Sequence, residues 1–335
     1  MNTKIIDNKV VLITGGTGSF GKNFAKFLLE NSKLKKLIIF SRDELKQSQM
    51  RKELHDERLR FFLGDVREID RLQQAFRDVD IVIHAAALKQ VPTLEYNPFE
   101  AIKTNILGSH NVISAAIDQK VEKALLISTD KAVHPINLYG ATKMCAEKLF
   151  TTENSYVPYA KGQTKLSSVR YGNVIGSRGS IVESLLKNRV VKKVQITDPE
   201  MTRFWITLDQ TFALVLFALQ NMEGGELFVP KIPSMKLVDL FNALRPGIKK
   251  EVIGIRPGEK LHEILLTEQE ALHALELEKC FVIVPEYLHP KRFEKYFKIG
   301  KKIAKNFRFT SNTNTAWLLE ANLKALLTKE EKNLL

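Results

Sequence analysis

The sequence of 335 residues predicts an α/β fold in which helices cover both faces of a parallel sheet. Short runs of β-branched and aliphatic residues alternate with longer helical patterns through the first half of the chain, which is typical of parallel strands joined by crossover helices. The runs are apolar on both faces, as in Val10–Thr14, and strands of a doubly covered sheet must have this character.

The predicted elements follow one another in a regular βα order up to residue 172. Strands are predicted at Val10–Thr14, Leu37–Phe40, Leu59–Gly64, Ile81–Ala85, Ala124–Ser128 and Leu166–Tyr171. Helices are predicted at Phe20–Glu30, Glu44–His55, Ile69–Phe76, Pro98–Asp118 and Leu138–Thr152. The pattern then becomes irregular and richer in Pro and Gly. We therefore expect a first domain at residues 1–172 and a smaller lobe at residues 173–335 that returns some elements to the first.

The composition is that of a globular protein, with 44% hydrophobic and 27% charged residues. No apolar run approaches the roughly 18–20 residues of a membrane span. The segment Met1–Lys9 lacks the apolar core of a signal peptide. Cys145 and Cys280 have neither metal-ligand spacing nor a disulfide framework, so we expect reduced thiols and no metal site. Together these features predict a cytoplasmic protein without a membrane anchor.

The formal net charge of +13 raises the question of nucleic-acid binding. The lysines are scattered, however, and no zinc-finger, RRM or basic-helix pattern accompanies them. A positive cleft for small molecules that carry phosphates explains part of the charge, and solvated surface explains the rest. We therefore expect no nucleic-acid partner.

A glycine-rich loop, Thr14–Gly21, follows the first predicted strand and opens the first predicted helix. Its Gly-x-x-Gly-x-x-Gly spacing allows a tight turn and a close approach of backbone N–H groups to a pyrophosphate. The strand before the loop and the helix after it are the context that this motif requires. The loop predicts a Rossmann-type dinucleotide site, with contacts from Gly15, Thr17, Gly18, Ser19, Phe20 and Gly21.

The same loop also comes close to the phosphate-binding loop of nucleoside triphosphatases, since Gly16–Lys22 reads Gly-x-x-x-x-Gly-Lys. The next residue, Asn23, replaces the Ser or Thr hydroxyl that holds Mg²⁺ in those enzymes. The sequence therefore favours the dinucleotide site.

The residues after the second predicted strand bear on the identity of the dinucleotide. An acid about 20 residues after the glycine loop binds the ribose 2′-hydroxyl of NAD, whereas an arginine accommodates the 2′-phosphate of NADP. Arg42 precedes the nearest acid, Asp43, so the sequence favours NADP over NAD. The further predicted cofactor contacts are Ser41, Arg42, Asp43, Lys46, Asp65, Val66, Ala85 and Lys89.

A Tyr-x-x-x-Lys motif after the fifth predicted strand places the phenol of Tyr139 one helical turn from the ammonium group of Lys143. A nearby cation favours the phenolate form of a tyrosine, which can then accept a proton from a hydroxyl. On a solvated helix face the motif would have no function. Its place directly after a strand favours a catalytic pair that also contacts the cofactor.

The fifth strand leads into Ser128-Thr129-Asp130-Lys131, and here the sequence resembles the extended short-chain dehydrogenases that act on nucleotide sugars. Most relatives carry Ser or Thr at the position of Thr129, and ordinary hexose 4,6-dehydratases carry Asp-Glu at the next two. The Asp130-Lys131 variant resembles the inverting UDP-N-acetylglucosamine 4,6-dehydratases of the pseudaminic acid pathway. Further matching motifs are Ser41–Gln47, Ala85–Pro92, Asn97-Pro98, Asn105, Arg170–Arg178, Met201–Phe204, Pro230–Met235 and Gly254–Lys260.

The resemblance implies an internal redox cycle on a UDP-sugar with NADP as cofactor. Tyr139, assisted by Lys143 and Thr129, takes the proton of the 4-hydroxyl while hydride passes to the nicotinamide. Lys131 then removes the C5 proton, which requires a neutral amine and hence a lowered pKa. Asp130 holds a proton and releases the 6-hydroxyl as water. Both side chains reach the sugar only if the strand gives way to a loop at this point.

The resemblance also implies contacts with the nucleotide sugar and assembly into homo-oligomers, from dimer to hexamer. Arginines suit a pyrophosphate because they bind it in a bidentate manner, and a carboxylate accepts hydrogen bonds from ribose hydroxyls. The predicted substrate contacts are Lys89, Asn173, Arg178, Arg203, Arg256 and Glu259.

Gln90 departs from the family pattern, because pathway members commonly carry His there and relatives that couple dehydration to 5-epimerisation carry Gln. Gln90 therefore bears on the pathway more than on the chemistry. The alternatives that stay open are a UDP-hexosamine 4-epimerase, a dehydratase with 5-epimerase activity and a catalytically silent NADP sensor. A plain epimerase has no use for Asp130 and Lys131, unless the two form a simple surface ion pair. A sensor has no use for Tyr139 and Lys143.

Overall fold

The computed structural model describes residues 1–152, 163–177, 182–183, 185, 193–288, 290–319, 322–323 and 326. The strands are β1 Val10–Thr14, β2 Lys36–Ser41, β3 Leu59–Leu63, β4 Ile81–His84, β5 Lys123–Thr129, β6 Lys165–Tyr171, β7 Asn173–Val174, β8 Lys193–Ile196, β9 Thr202–Ile206, β10 Leu227–Pro230, β11 Ser234–Lys236, β12 Lys249–Val252, β13 Ile264–Leu266, β14 Ala274–Glu276, β15 Cys280–Ile283, β16 Lys301–Lys302 and β17 Phe309–Thr310. The α-helices are α1 Ser19–Asn31, α2 Glu44–Leu54, α3 Ile69–Ala75, α4 Val91–Tyr96, α5 Pro98–Ala101, α6 Gly108–Asp118, α7 Leu138–Thr152, α8 Leu208–Asn221, α9 Leu237–Leu244, α10 Glu268–Ala271 and α11 Glu294–Ile299.

Ten of the described strands form one sheet in the order β16-β14-β15-β10-β6-β5-β4-β1-β2-β3. From β3 to β10 the neighbours pair in parallel, and β15, β14 and β16 extend the sheet in antiparallel pairs. The central order 3-2-1-4-5-6 is that of a Rossmann fold, so the predicted fold class is confirmed. Because β4 lies between β1 and β5, the loops that follow these three strands leave the sheet side by side.

Both faces of the sheet are buried, as the apolar strands predicted. Val11 and Ile13 of β1 belong to the core on one face, together with Phe24 of α1 and Phe212 of α8. Leu12 of the same strand belongs to the core on the other face, with side chains of α3, α6 and α7. Successive side chains of a strand point to opposite faces, and each such buried aliphatic side chain stabilises the fold by about 1.5–3 kcal/mol.

The six predicted strands and four of the five predicted helices lie within one residue of their predicted bounds. The prediction of one helix over Pro98–Asp118 is wrong: α5 passes into a π-helical segment, Ile102–Leu107, and then into α6. The helix α4 before it was not predicted. Proline restricts the residue before it to extended conformations, and the Asn97-Pro98 step separates α4 from α5 for this reason. A π-helical turn depends on tertiary contacts that the apolar spacing does not reveal.

The second half of the chain contributes to the main sheet and also forms small sheets of its own. The strands β10, β14, β15 and β16 join the main sheet, whereas β11-β9-β7, β12-β8 and β13-β17 are separate. The division at residues 172 and 173 stays a prediction. A buried ion-pair group links the two halves, because Arg170 of β6 lies 2.6 Å from Glu147 Oε2 of α7 and 2.8 Å from Glu270 Oε1 of α10.

The apolar run Phe212–Leu219 is part of α8 and is largely buried. Within the ranges given above, no helix has the length and apolar character to cross a membrane. Cys145 of α7 and Cys280 of β15 are both free thiols, as predicted.

Candidate active site

The glycine-rich loop after β1 brings the backbone close to its neighbours. Gly15 has a φ of +64°, and a Cβ at this position would lie 2.8 Å from the backbone of Ala86. A Cβ on Gly21 would lie 2.6 Å from Gly16 Cα. Gly18 is the N-cap of α1 and provides no capping side chain. The first N–H groups of a helix have no intrahelical partner, so this loop and helix end fit a diphosphate.

Thr17, Ser19 and Phe20 also lie in this loop and at the start of α1. Thr17 is buried, Ser19 is half-buried, and the Phe20 ring stacks on Phe24 at a centroid distance of 5.3 Å. Phe20 is therefore part of the packing that anchors α1 against the sheet.

A buried hydrogen-bond chain that the sequence did not reveal supports the loop from below. His84 Nδ1 lies 2.7 Å from Thr14 Oγ1, and His84 Nε2 lies 3.0 Å from Ser109 Oγ. Burial, with a smaller contribution from Lys143, lowers the pKa of His84 to about 3. A neutral imidazole therefore connects the end of β1 with α6.

The end of β2 presents cations towards the predicted ribose position. Arg42 is half-exposed, with Nη1 3.4 Å from Asp65 Oδ2. Asp43 caps α2 by accepting from Lys46 N at 2.9 Å, and its carboxylate also lies 2.6 Å from Lys46 Nζ. The hydrogen bonds from Lys46 lower the pKa of Asp43. Ser41 is buried, and its Oγ atom accepts a hydrogen bond from Gln47 Nε2 at 3.0 Å.

The remaining predicted cofactor contacts follow β3 and β4. Asp65 is buried and pairs with Arg67 at 2.7 Å, and Val66 is buried in the core that includes α6. Ala85 is half-buried directly after β4, and Lys89 is exposed four residues later. These positions line the same edge of the sheet as the glycine-rich loop.

Tyr139 and Lys143 lie one turn apart on α7, as predicted. Burial raises the pKa of Tyr139 above its usual value, while Lys131 and a hydrogen bond with Thr129 act in the opposite direction. Lys143 is buried, and its Nζ donates to Ile127 O of β5 at 2.8 Å. Burial lowers the pKa of Lys143 to about 8, against the influence of Glu147.

The strand β5 ends at Thr129, and a 3-10 turn begins at Asp130, so the chain gives way to a loop where this was predicted. Lys131 Nζ lies 3.0 Å from Asp130 Oδ1, to which Thr129 Oγ1 donates at 3.0 Å. Asp130 is fully buried, and its Oδ2 atom has no hydrogen-bond partner among the described residues. The alternative of a surface ion pair is therefore wrong for Asp130.

The expected neutral form of Lys131 is not the form that this arrangement favours. Burial alone would lower the pKa of Lys131, but the carboxylates of Asp130 and Glu263 outweigh it and raise that pKa well above its usual value. Glu263 Oε1 lies 3.5 Å from Lys131 Nζ. The expectation of a lowered pKa is therefore corrected, because two buried carboxylates flank the ammonium group.

A buried asparagine of the π-helical segment joins the loop after β4 to α7. Asn105 accepts from Leu88 N at 2.8 Å and donates to Thr142 Oγ1 at 2.9 Å. Thr142 lies between Tyr139 and Lys143 in the sequence, so Asn105 helps to fix their helix. π-Helical turns are frequent at functional sites.

The predicted substrate contacts are dispersed. Asp130, Lys131 and Glu263 form a cluster of charged side chains. Asn173 Oδ1 lies 3.5 Å from Lys131 Nζ and so belongs to this cluster. Glu259 is half-buried, Arg256 is exposed, and Arg178 lies outside the described residues. Arg203 is buried and donates to Thr202 O at 2.8 Å and to Leu261 O at 3.1 Å. Its Nη2 atom lies 3.6 Å from Glu259 Oε1, and its predicted contact with a pyrophosphate stays a prediction.

Glu263 and Lys260 also lie in this cluster, and the sequence analysis predicted neither of them as a site residue. Glu263 is buried, and Lys260 Nζ lies 3.8 Å from Glu263 Oε2 and donates to Val133 O. The available signal in the sequence was an acidic residue, Glu263, directly before the apolar run Ile264–Leu266 that becomes β13. No group of three or more His, Cys, Asp or Glu in the described part of the chain is arranged to hold a metal ion.

Known proteins resemble this chain along almost its whole length. A model of the family described as polysaccharide biosynthesis protein matches residues 11–285. A protein of Campylobacter jejuni named UDP-N-acetylglucosamine 4,6-dehydratase (inverting) is 46% identical over 335 residues, which cover 98% of this chain and 99% of that one. A protein of Rickettsia akari named UDP-glucose 4-epimerase is 42% identical over 330 residues, which cover 96% of each chain.

Among solved structures, Pen from Bacillus thuringiensis superposes with a TM-score of 0.87 at 38% identity, and the match covers 98% of this chain and 99% of Pen. The similarity to the Campylobacter protein confirms the predicted resemblance to the inverting UDP-N-acetylglucosamine 4,6-dehydratases. The chain therefore belongs to the polysaccharide biosynthesis protein family.

Proposed function

We propose that this protein is an inverting UDP-N-acetylglucosamine 4,6-dehydratase that uses NADP. The observation that carries the proposal is the pair Asp130–Lys131, packed beside Tyr139 at the carboxyl end of β5. Exchange of the configuration at C4 needs one acid–base group, which Tyr139 supplies. Loss of water across C5 and C6 needs a second base and a second acid, and the pair supplies these two groups.

The first step takes place at the 4-hydroxyl. Tyr139 accepts the hydroxyl proton. Burial raises the pKa of Tyr139, and the charge of Lys131 and the hydrogen bond with Thr129 offset part of that rise. Lys143, one turn along the same helix, donates to Ile127 O at 2.8 Å, and we assign to it the contact with the cofactor ribose. Held by the glycine-rich loop and Arg42, NADP would supply the acceptor for the hydride of C4 and the donor of that hydride to C6.

The second step uses the Asp130–Lys131 pair. At rest the two residues form a buried ion pair with a distance of 3.0 Å between Lys131 Nζ and Asp130 Oδ1. Transfer of one proton along this hydrogen bond turns the ammonium into an amine and the carboxylate into a carboxylic acid. These are the two forms that the reaction requires, since the amine removes the C5 proton and the acid protonates the departing 6-hydroxyl. Return of the hydride to C6 leaves an enolate, which takes up a proton at C5 from the opposite face, and this inverts C5.

The preference for NADP is supported by the end of β2. The carboxylate of Asp43 is already engaged by the backbone N–H and the ammonium group of Lys46, so it is a poor partner for a ribose hydroxyl. Arg42 and Lys46 together leave positive charge where a 2′-phosphate would lie. The glycine-rich loop, whose close contacts exclude a Cβ, fits the diphosphate of the same dinucleotide.

Replacement of the arginine tests this preference. We expect Arg42→Ser to weaken NADP binding about 10- to 100-fold, because a charge-assisted contact with a phosphate is worth roughly 1.5–3 kcal/mol. NAD binding should change little. Isothermal titration with both dinucleotides measures the two affinities, and Arg51→Ser on the exposed side of α2 is the matched control. Equal losses for NAD and NADP would refute the assignment of the 2′-phosphate to Arg42.

The proposed activity is tested by incubation of the protein with UDP-N-acetylglucosamine and NADP in D₂O, followed by proton NMR. We expect a 6-deoxy-4-keto sugar with a methyl signal and with solvent deuterium at an inverted C5. Deuterium at a C5 of retained configuration would indicate a retaining dehydratase. A 4-epimer without deuterium or a methyl signal would contradict dehydration altogether.

A second candidate function is UDP-glucose 4-epimerase, because relatives of that name are 42% identical to this chain. The same NMR experiment with UDP-glucose distinguishes the two functions. Conversion to UDP-galactose at a rate above that of UDP-N-acetylglucosamine dehydration would favour the epimerase. We expect the reverse, since Asp130 and Lys131 have no task in epimerisation.

We further propose a cytoplasmic homo-oligomer that supplies a deoxy-keto sugar to the pseudaminic acid pathway. Light scattering of the purified protein tests the oligomeric state. Whether the NMR product is accepted by an aminotransferase that acts on 4-keto sugars tests the pathway.

A further inference from the structure

Glu263 is the buried carboxylate of the catalytic cluster to which neither the sequence motifs nor the proposed mechanism gives a role. It directly precedes β13, and only 2% of its surface is exposed. Its N–H donates to Ser311 Oγ at 2.9 Å, and its carbonyl oxygen accepts from Ser311 N at 2.8 Å. Ser311 Oγ in turn lies 2.6 Å from Thr202 Oγ1. Ser311 therefore holds both backbone polar groups of Glu263.

The carboxylate of Glu263 faces three cations. Its Oε1 atom lies 3.5 Å from Lys131 Nζ and 3.8 Å from Arg203 Nε, and its Oε2 atom lies 3.8 Å from Lys260 Nζ. Within the described residues the Oε2 atom has no hydrogen-bond partner. Removal of a carboxylate from water costs several kcal/mol unless other charges compensate. Here the compensation comes from the cations, and Lys131 is the nearest of them.

We propose that Glu263 is a positioning residue that acts through Lys131: its buried carboxylate holds the ammonium group beside Asp130 and Asn173 and stabilises the charged form of this base between turnovers. The inference rests on the proposed dehydratase function for its consequence in catalysis. Its electrostatic part concerns the protein alone. Glu263 thereby sets the pH at which Lys131 loses its proton.

The other charges around Lys131 determine whether loss of the Glu263 charge raises or lowers the pH at which Lys131 loses its proton. Asp130 of the 3-10 turn attracts the ammonium group, Arg203 of β9 repels it, and Tyr139 of α7 lies close by. Lys260, from the loop before β13, adds a second nearby cation. Without the charge of Glu263, the two cations would face Lys131 with Asp130 as its one buried carboxylate neighbour among the described residues. The amine should then become neutral at lower pH.

The direct test is competitive labelling of the protein with trace acetic anhydride between pH 7 and 10.5. Mass spectrometry of the peptide that contains Lys131 gives the pH dependence of its labelling, since only the neutral amine reacts. In the wild type we expect labelling to rise throughout this range. In Glu263→Gln we expect the labelling curve to move to lower pH by about one unit or more, so that labelling at a given pH rises about tenfold, the effect of losing an opposite charge within 4–6 Å. An unchanged curve would overturn the proposal.

Two controls separate this role from a general loss of structure. Glu226→Gln replaces another fully buried carboxylate, which accepts from Ser167 Oγ at 2.7 Å and from Tyr296 Oη at 3.1 Å. We expect it to reduce thermal stability without moving the Lys131 curve. If Glu263→Gln does not fold, Glu263→Asp retains the charge at a greater distance, and a shift smaller than half a unit but downward is expected.

The catalytic consequence is measured by the pH dependence of kcat/KM for UDP-N-acetylglucosamine dehydration. The Asp130–Lys131 pair needs its shared proton to release the 6-hydroxyl as water, so kcat/KM should fall at high pH. We expect this fall to begin at lower pH in Glu263→Gln, by the same shift as the labelling curve. A labelling shift without a matching shift in kcat/KM would remove Glu263 from the catalytic cycle. Absence of dehydration by the wild type would instead refute the proposed function, and the labelling experiment would still decide whether Glu263 controls Lys131.

Discussion

Lys131→Gln should reduce dehydration of UDP-N-acetylglucosamine by about 10²- to 10⁴-fold, the usual contribution of a general base. Glutamine can still donate a hydrogen bond to Asp130, but it cannot accept the C5 proton. Tyr139 and Lys143 are unchanged, so cofactor binding should persist. Proton NMR in D₂O measures both the methyl signal of the product and deuterium exchange at C5, and we expect both to disappear together.

The matched control for this variant is Lys148→Gln, which changes an exposed lysine of α7. It should leave both NMR signals at the level of the wild type. Removal of the cation also leaves Asp130 and Glu263 without their shared partner, so the melting temperature of Lys131→Gln should fall. C5 exchange at the normal rate in Lys131→Gln would show that another group is the base.

Gly140→Ala should also reduce the rate of dehydration strongly, although it alters none of the proposed catalytic side chains. Alanine normally stabilises a helix interior by roughly 0.5–1 kcal/mol relative to glycine. Here a Cβ would lie 2.1 Å from Lys131 O and 3.0 Å from Pro135 Cβ. Either α7 or the 3-10 turn must move, at a cost of about 1–3 kcal/mol in the free energy of unfolding.

The displacement of α7 would separate Tyr139 from Thr129 and Lys131. Misplacement of catalytic groups by about 1 Å can reduce a rate 10²-fold, and we expect a loss of that order in kcat. Chemical denaturation and steady-state kinetics measure the two effects. Ala141→Gly is the control, since it changes the adjacent residue by the same group and should cost about 0.5–1 kcal/mol with activity retained. A more stable and fully active Gly140→Ala protein would contradict the close approach of the two segments.

Much of the fold was predictable because it depends on local patterns. The apolar strands were located within one residue, since burial on both faces leaves a continuous signal in the sequence. The sequence also predicted that β5 ends before Asp130. The broken helix between Pro98 and Asp118 was not predicted, because Asn105 stabilises the π-helical turn through contacts with Leu88 and Thr142.

The candidate site was predictable where its members are neighbours in the sequence. The glycine-rich loop and the Tyr139–Lys143 pair follow from the spacing of a turn and of a helix. Glu263 was missed because it reaches Lys131 only through the fold. The burial of Arg203 was missed for the same reason, since its partners include the distant Leu261 O.

The sequence by itself determined the order of strands and helices along the chain and the glycine-rich loop, and it predicted the groups that can move protons. These properties depend on side-chain periodicity and on short-range geometry, which adjacent residues encode. Only the tertiary structure decided that Lys131 lies between two buried carboxylates, which favour its charged form. Its charge depends on the distances to Asp130 and Glu263 and on the exclusion of water from both carboxylates, and neither quantity exists before the chain has folded.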